Sequence, residues 1–222
     1  MTGAVFDPGA ELGPRLRRVR EDRGLSAREL ARRISCSPSL ISQIERGVSV
    51  PSVGMLYALA SELRASMDFL FGVIPSGELT MTAHGGGRAR EVARVSDSAA
   101  AGWAAGHGIV QRAPGRRTID LASGVRWERL TPGADDRVDF LEVIYEPCGD
   151  SAGTGGALRH DGYEYGLIVC GTLQARVGFE RYELGEGDSI AFDSATPHEY
   201  WNTTPAEVRA VWAVVHAYPS RT

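Results

Sequence analysis

Residues 26–47, SARELARRISCSPSLISQIERG, carry two short amphipathic patterns separated by a brief polar stretch. The first pattern begins with Ser26 and has Glu29 three residues later, the spacing of an N-terminal capping box. The second begins with Ser37, and Pro38 follows it in the position that a first helical turn accepts. The segment therefore predicts two short helices joined by roughly four residues, as in a helix-turn-helix unit.

The second of these helices, predicted over residues 37–45, divides its side chains by type. Its leucine and isoleucines recur at helical spacing and are expected to face a core. The small polar side chains between them are expected to face outward, as they do on a helix that reads the major groove of DNA. These outward residues are Ser39, Ser42 and Gln43.

Three further helices are predicted around this pair. One covers residues 12–23, with Pro14 in its first turn and Gly24 as its stop, and two follow within residues 51–71. The distribution of charge agrees with DNA binding by the N-terminal part of the chain. Residues 1–72 contain ten arginines and eight acidic residues, residues 73–118 contain six and three, and residues 119–222 contain eight and seventeen. A polyanion is therefore expected to approach the front of the chain.

Residues 11–72, including GLSARELARRISCSPSLISQIERGVSVPSVGMLYALA, resemble the helix-turn-helix domain of the XRE family, to which the lambdoid phage repressors belong. The resemblance implies a five-helix, lambda-repressor-like domain that binds a double-stranded DNA operator, with residues 37–45 as recognition helix. Side chains expected to read bases or adjoining phosphates are Ser37, Ser39, Ser42 and Gln43, and the expected DNA-backbone contacts are Arg15, Arg28 and Arg46.

Two alternatives stay open for this domain. Each arginine could simply lie on a solvated helix face, and the whole domain could contact protein instead of DNA. The chain also departs from the family at the end of its fourth helix, where Arg64 replaces the usual glycine. Arg64 is therefore expected to adopt a left-handed conformation, at a cost of about 1 kcal/mol.

The rest of the chain differs in composition. Residues 73–109 are rich in Gly, Ala and Ser and are expected to form a linker. Three cysteines without CxxC spacing indicate neither a disulfide framework nor a structural zinc site. Because no leader and no apolar run of about 18 residues is present, a cytoplasmic protein without a membrane partner is expected.

Residues 110–218 contain short, β-branched or alternating segments separated by turn signals, which predict a sandwich or small barrel. In LRHDGYEYGLIVCG, residues 158–171, the even spacing of His160 and Glu164 puts both on one face of a strand, with Leu158, Ile168 and Cys170. That face is otherwise small or apolar. Glu164 is therefore expected to be paired, protonated, metal-bound or at the mouth of a wet pocket.

This second region resembles the cupin family, which implies a double-stranded β-helix barrel. His160, Glu164 and Gly171 match the second histidine, the glutamate and the glycine of the first cupin motif, and His198 matches the histidine of the second. Leu158 stands where the first histidine is usually found. The resemblance thus implies a three-ligand site for Fe(II), Mn, Ni or Zn.

Two uses of the site remain open. His160, Glu164 and His198 could hold a metal, or they could simply hydrogen-bond one another within a wet pocket. The aromatic residues near them in sequence, Tyr163, Tyr165 and Trp201, are expected to help line an effector pocket.

Together the two domains resemble a class of bacterial transcription factors. The resemblance implies a homodimer that binds two operator half-sites and whose cupin domain senses a small-molecule effector, without enzyme activity. The alternatives are a mononuclear non-haem iron enzyme, such as an epoxidase with the same two-domain plan, and a cupin protein whose front domain contacts only other proteins. The polar face of the recognition helix favours the regulator.

Overall fold

A computed structural model describes residues 8–73, 109–153 and 156–216. Most of the predicted linker, residues 74–108, lies outside the described residues. The remainder forms an N-terminal helical bundle and a C-terminal β-barrel, as the two resemblances predict. In the described part of the chain, no helix has both the length and the apolar character needed to cross a membrane.

The bundle consists of five helices in its described part, and serine side chains cap four of them. Ser26, Ser37, Ser52 and Ser66 each accept a hydrogen bond from the backbone N–H three residues later. The helices are α1 (Pro8–Asp22), α2 (Ala27–Arg33), α3 (Pro38–Glu45), α4 (Val53–Leu63) and α5 (Met67–Leu70).

The prediction for α1 was wrong about its start. The helix begins at Pro8 instead of at residue 12, so Pro8 takes the first position and Pro14 lies inside the helix. The capping box before α2 is only half formed. Ser26 accepts from the Glu29 N–H at 3.1 Å, but the Glu29 carboxylate accepts from the side chains of Arg32 and Arg33.

A bidentate ion pair joins α1 to α3 across the bundle. Arg20 donates from Nε to Oε1 of Glu45 at 2.5 Å and from Nη2 to Oε2 at 2.8 Å, and both side chains are largely buried. Arg20 also donates to the carbonyl of Leu25 at 2.7 Å. Because two parallel charged hydrogen bonds fix both distance and orientation, this pair holds α3 in place on the bundle.

The described part of the C-terminal domain forms two antiparallel sheets. One has the order β1-β2-β3-β9-β4-β7 and the other β6-β5-β8. Trp127, Tyr145 and Trp212 are among the large side chains buried between them. The strands are β1 (Thr118–Leu121), β2 (Val125–Arg129), β3 (Val138–Tyr145), β4 (Tyr163–Cys170), β5 (Leu173–Val177), β6 (Glu180–Leu184), β7 (Ser189–Asp193), β8 (His198–Trp201) and β9 (Val208–Val215).

Strand β4 decides which side chains reach the barrel interior. Glu164 and Ile168 point inward as predicted. Cys170 does not share their face, because a register shift between Ile168 and Cys170 turns it outward. Gly171 follows with φ +86°, and a Cβ atom there would lie 3.0 Å from Val208, which explains a glycine at this position.

The bundle docks directly on the barrel. The Ala122 N–H donates to the Pro51 carbonyl at 2.8 Å, and the Asp135 N–H donates to Oδ2 of Asp68 at 2.7 Å. Asp68 of α5 also forms a buried ion pair with Arg129 of β2. Since removing one partner of such a pair would leave a buried charge uncompensated, the two domains are held in a defined relative position.

Arg64 adopts φ 45° and ψ 44° after α4, which confirms the left-handed conformation expected there. Replacing Arg64 by Gly should therefore raise the free energy of unfolding by roughly 0.5–1 kcal/mol, because glycine takes this conformation without a Cβ clash. Denaturant unfolding followed by the helical circular dichroism signal measures the change. Arg64→Ala is the control: it keeps the strain, so a similar gain in that variant would contradict the explanation.

Candidate functional sites

The side chains predicted to read DNA lie along the open side of α3. Ser37 and Ser39 are exposed, Ser42 and Gln43 are partly exposed, and the opposite side of the helix is buried in the bundle. The Ser37 hydroxyl caps the helix by accepting from the Leu40 N–H at 3.1 Å. Gln43 donates to the Ser39 hydroxyl at 3.4 Å, so its amide extends along this surface.

The three arginines predicted to contact the DNA backbone differ in position. Arg46 is exposed at the C-terminal end of α3 and donates to the Ser42 hydroxyl, and Arg28 is exposed on α2. Arg15 is partly buried, and its guanidinium lies beside Gly72 and near Arg117. Because α1 packs next to β1, this side of the helix meets the barrel. Its position does not support the predicted contact of Arg15 with DNA.

The structure brings His160, Glu164 and His198 together inside the barrel. Nε2 of His160 lies 2.6 Å, and Nε2 of His198 lies 3.2 Å, from Oε1 of Glu164. Backbone bonds between the segment before β4 and the start of β8 set this geometry: Leu158 donates to the His198 carbonyl at 2.7 Å and His198 donates to the Leu158 carbonyl at 3.0 Å. Only 4% of Glu164 and none of His198 is exposed.

Each imidazole is oriented by a backbone carbonyl. Nδ1 of His160 lies 3.2 Å from the Asp161 oxygen, and Nδ1 of His198 lies 2.8 Å from the Thr196 oxygen. A carbonyl only accepts, so Nδ1 carries the proton and the lone pair of a neutral ring is on Nε2. Metal-binding histidines have this arrangement, in which the second ring nitrogen donates to a fixed acceptor.

Two acceptors therefore point at a carboxylate, which is itself an acceptor. Among the described residues, neither Nε2 atom has a hydrogen-bond donor as its partner. Either protons on the rings or a cation among the three side chains removes this repulsion. The ligand atoms lie within 4.8 Å of one another, and two imidazoles with one carboxylate form a suitable donor set for a divalent transition metal. The residues thus fit the metal that the cupin resemblance implies.

Glu164 is held in its ionised form. Burial by itself raises the pKa of its carboxyl group. When the His160 and His198 rings are protonated, the hydrogen bonds that their Nε2–H groups donate, together with their charges, outweigh burial and lower the pKa to about 2. Tyr200 donates its hydroxyl to Oε2 at 2.8 Å, and burial followed by the Glu164 charge raises the pKa of Tyr200 well above its usual range. Tyr200 thus occupies one carboxylate oxygen, while the other faces the imidazoles.

The aromatic residues predicted to line the pocket lie elsewhere. Tyr163 and Tyr165 are 41% and 52% exposed on the outer face of β4, because they alternate with the inward Glu164. Trp201 has the opposite strand parity to the inward His198 and Tyr200, and Arg181 lies over its ring at 6.0 Å. The predictions for Tyr163, Tyr165 and Trp201 were therefore wrong. Tyr200, which alternates correctly with His198 on β8, could have been selected by parity.

A second missed residue comes from the helical bundle. The ring of Tyr57 in α4 stacks on the His160 imidazole with 4.2 Å between centroids and 10° between planes. Its edge contact with Trp127 has a centroid distance of 5.5 Å. No sequence signal marked Tyr57, because it belongs to another domain and lies about a hundred residues before the cupin motif.

Leu158, which replaces the first histidine of the cupin motif, also contacts α4. It is buried, and a Cβ atom at Gly54 would lie 3.0 Å from its Cδ2 atom. The position of a lost ligand has thus become an apolar contact between the domains. His216 is paired too, with its Nε2 3.0 Å from Oδ2 of Asp139, and this hydrogen bond raises the pKa of His216.

We expect the protein, once stripped by a chelator, to bind about one divalent ion per chain, and Glu164→Gln to weaken that binding by more than about tenfold. The amide keeps the shape but removes the only anionic ligand, and even indirect partners of metal ligands contribute 10–100-fold. Equilibrium titrations with Mn²⁺, Ni²⁺ and Zn²⁺ measure the affinity, and elemental analysis gives the number of ions bound per chain. Glu183→Gln on β6 is the matched control, and equal binding by both variants would contradict the assignment.

Comparisons with known proteins agree with both halves of the chain. Residues 11–68 match the family of the helix-turn-helix domain, and residues 143–214 match the cupin domain family. The HTH-type transcriptional regulator PuuR of Escherichia coli K12 is 24% identical over 210 residues, which cover 94% of this chain and 97% of the relative.

One solved structure shows the same two-domain plan. An HTH_3 family transcriptional regulator from Vibrio cholerae superposes with a TM-score of 0.60 at 21% identity, covering 94% of this chain and 97% of that one. Hydroxypropylphosphonic acid epoxidase from S. wedmorenis gives a TM-score of 0.40 at 15% identity, covering 93% and 97% of the two chains. The chain thus combines a helix-turn-helix domain with a cupin domain, the plan of a DNA-binding transcriptional regulator, and is similar to such a regulator over most of its length.

Proposed function

We propose that this protein is a cytoplasmic, homodimeric transcription factor that reads its operator through α3 and whose cupin domain senses a small molecule, with a divalent metal as part of the site. The observation that carries the proposal is the polar surface of α3, which is open to solvent while the other side of the helix is fixed by the bundle core and by the Arg20–Glu45 pair.

The chemistry of α3 suits base recognition. Gln43 can donate to and accept from adenine with its amide, and serine hydroxyls can contact either bases or phosphates. Arg46 and Arg28 are exposed, and in this proposal they contact the DNA backbone, which positions the domain without reading sequence. The excess of arginine in the front of the chain and of carboxylates after residue 118 favours approach of DNA to the bundle.

A dimer is supported by an apolar surface on the six-stranded sheet. Register places Tyr165 of β4 beside Ala213 of β9, which in turn lies beside Phe140 of β3. The outward side chains of this surface are Phe140, Tyr163, Tyr165, Leu167, Val169 and Val215, and all are exposed. A contiguous apolar face of this kind is typical of homodimer interfaces, and helix-turn-helix domains bind paired half-sites as dimers.

The same donor set, two histidines and a glutamate, would also suit a mononuclear non-haem iron enzyme. We favour the regulator, without enzyme activity, because an enzyme would need the bundle only as a scaffold and would have no use for a polar, solvent-facing α3. Selection of bound DNA from a random pool distinguishes the two. Enrichment of one palindromic sequence supports regulation, whereas stoichiometric iron without any enriched sequence would support the enzyme.

Gln43→Ala should weaken binding to the selected site by about 1–3 kcal/mol, roughly 5- to 150-fold, and relax the base preference at one position of each half-site. Fluorescence anisotropy with the selected DNA and its single-base variants measures both effects. Gln174→Ala on β5 is the control. If Gln43→Ala and Ser39→Ala both left DNA binding unchanged, a domain that contacts only protein would be the better explanation.

Leu167→Asp should convert the dimer to a monomer, because it places a carboxylate within the apolar surface, where Leu167 is 45% exposed. Sedimentation equilibrium gives the oligomeric state, and the variant should also bind the full palindrome more weakly than wild type. Tyr182→Asp on β6 changes a side chain of similar exposure, 44%, outside that surface. A Leu167→Asp variant that remained dimeric would refute this interface.

A further inference from the structure

Helix α4 contributes side chains both to the core of the helical bundle and to the wall of a cavity in the cupin barrel. Leu56, Leu59 and Leu63 are buried in the core of the helical bundle, whereas Val53 and Tyr57 line a cavity inside the cupin barrel. A single turn of α4 therefore supplies both core contacts of the DNA-binding domain and part of the wall around Glu164 and His198. Any movement of the part of the cavity wall that α4 forms therefore also moves the helix within the bundle core.

The stacked pair of Tyr57 and His160 lies between two spaces of very different size. The inner cavity has a volume of about 30 Å³, and Glu164, His198 and Tyr200 line it. The outer space is a groove of about 990 Å³ between the domains, where His160 and Asp139 face α4 and α5. Tyr57 lines both the inner cavity and the groove.

These volumes decide what each space can hold. A water molecule needs roughly 10–15 Å³ of cavity volume. The inner cavity therefore accommodates a few water molecules or an ion, but no organic ligand. Pockets for organic ligands measure about 300–1,000 Å³, which is the size of the groove. An organic ligand can therefore enter the groove as it stands, but to contact Glu164 and His198 it must displace a side chain that lines both spaces, Tyr57 or the backbone-anchored Leu158.

The Tyr57 ring has little freedom to move without α4. It is stacked face to face on His160 and meets Trp127 with its edge. One turn earlier, Gly54 is in close contact with Leu158, so the helix backbone itself rests on the barrel. Side-chain rotamers within helices are also limited to directions that point back along the helix. Displacement of the ring is thus expected to loosen the whole contact between α4 and the barrel.

We propose that Tyr57 couples the occupancy of the cupin site to the position of the DNA-binding domain. The stacked ring holds the bundle on the empty or metal-loaded barrel. An organic ligand that reaches Glu164 and His198 displaces the ring and releases the bundle. This inference rests on the proposed regulatory function. It identifies the groove as the ligand's route and α4 as the element that transmits its binding to α3.

The test removes the aromatic ring by substitution and then supplies a free aromatic ring from solution. In the full-length protein, Tyr57→Ala removes the ring, and added phenol serves as the probe that can refill the space, as small aromatic molecules do in cavities left by truncation. Operator affinity, measured on the DNA selected by the wild-type protein, should change by about 5- to 150-fold in Tyr57→Ala, the usual range for coupling between sites. Phenol should return it towards the wild-type value.

Two controls and a DNA-free readout accompany the measurement. Tyr57→Phe keeps the stacked ring and should bind DNA as the wild type does, and Tyr182→Ala removes an exposed tyrosine from β6. Hydrogen exchange of the amides of α4 should quicken in Tyr57→Ala and slow again with phenol. If Tyr57→Ala does not fold, Tyr57→Leu, which keeps most of the apolar area, should show the altered affinity without a response to phenol.

The outcomes separate the two proposals. Unchanged operator affinity and unchanged exchange in Tyr57→Ala would overturn the role of Tyr57 and leave the regulator standing. Failure of the wild-type protein to select any DNA would refute the regulator, and the exchange measurement would then decide whether Tyr57 holds the domains together. In Tyr57→Ala, an altered affinity that phenol does not restore would show that the truncation acts through general loss of stability, and would also overturn the inference. In Tyr57→Leu, an unchanged affinity would overturn it.

Discussion

The burial of one carboxylate organises the centre of this protein. Glu164 is almost completely removed from solvent, and an ionised group there is tolerated only when partners compensate for its lost hydration. Tyr200 donates to one of its oxygens, and two imidazoles surround the other. Tyr57 then covers His160 from outside, so the network extends from the barrel strands to a helix of the other domain.

This arrangement joins the cupin site to the helical bundle through packing alone. The bundle rests on the barrel through the buried pair of Asp68 and Arg129 and through the contact between Gly54 and Leu158. Inside the bundle, α4 shares a core with α3, which Arg20 and Glu45 also hold against α1. A cupin domain linked only by a flexible segment would have to act at a distance, whereas here its site directly contacts Tyr57 of α4, a helix whose leucines lie in the bundle core.

The departure from the cupin motif at Leu158 has a physical meaning in this context. A histidine at this position would add a fourth ligand, but it would also bring a polar ring to the place where Gly54 of α4 contacts the barrel. Leucine exchanges that ligand for apolar contact with the helix. The remaining three side chains keep the orientation and the donor chemistry of a metal site, and the loss is compatible with a role in sensing.

Much of the fold could be predicted because it depends on local patterns. Capping serines, helical periodicity and the polar face of residues 37–45 marked the bundle, and strand alternation with the His160 and Glu164 spacing marked the barrel. Arg64 was recognised as a left-handed residue from its place at the end of a helix. Local errors also had local causes: the helix start at Pro8 moved Pro14 into the interior, and a bulge turned Cys170 outward.

The errors at Tyr163, Tyr165 and Trp201 were local as well: these residues are close to the ligands in sequence, but alternation along their strands directs them away from the site, and Tyr200 takes the inward place. Two features depended on tertiary structure. Arg15 faces the barrel because α1 packs beside β1. Tyr57 joins the site from a distant segment, since only the docking of α4 on the barrel brings it to His160. The sequence by itself determined which residues could bind DNA or a metal; the packing of the two domains decided that one helix would serve both sites, because contacts between distant segments leave no periodic signal in the chain.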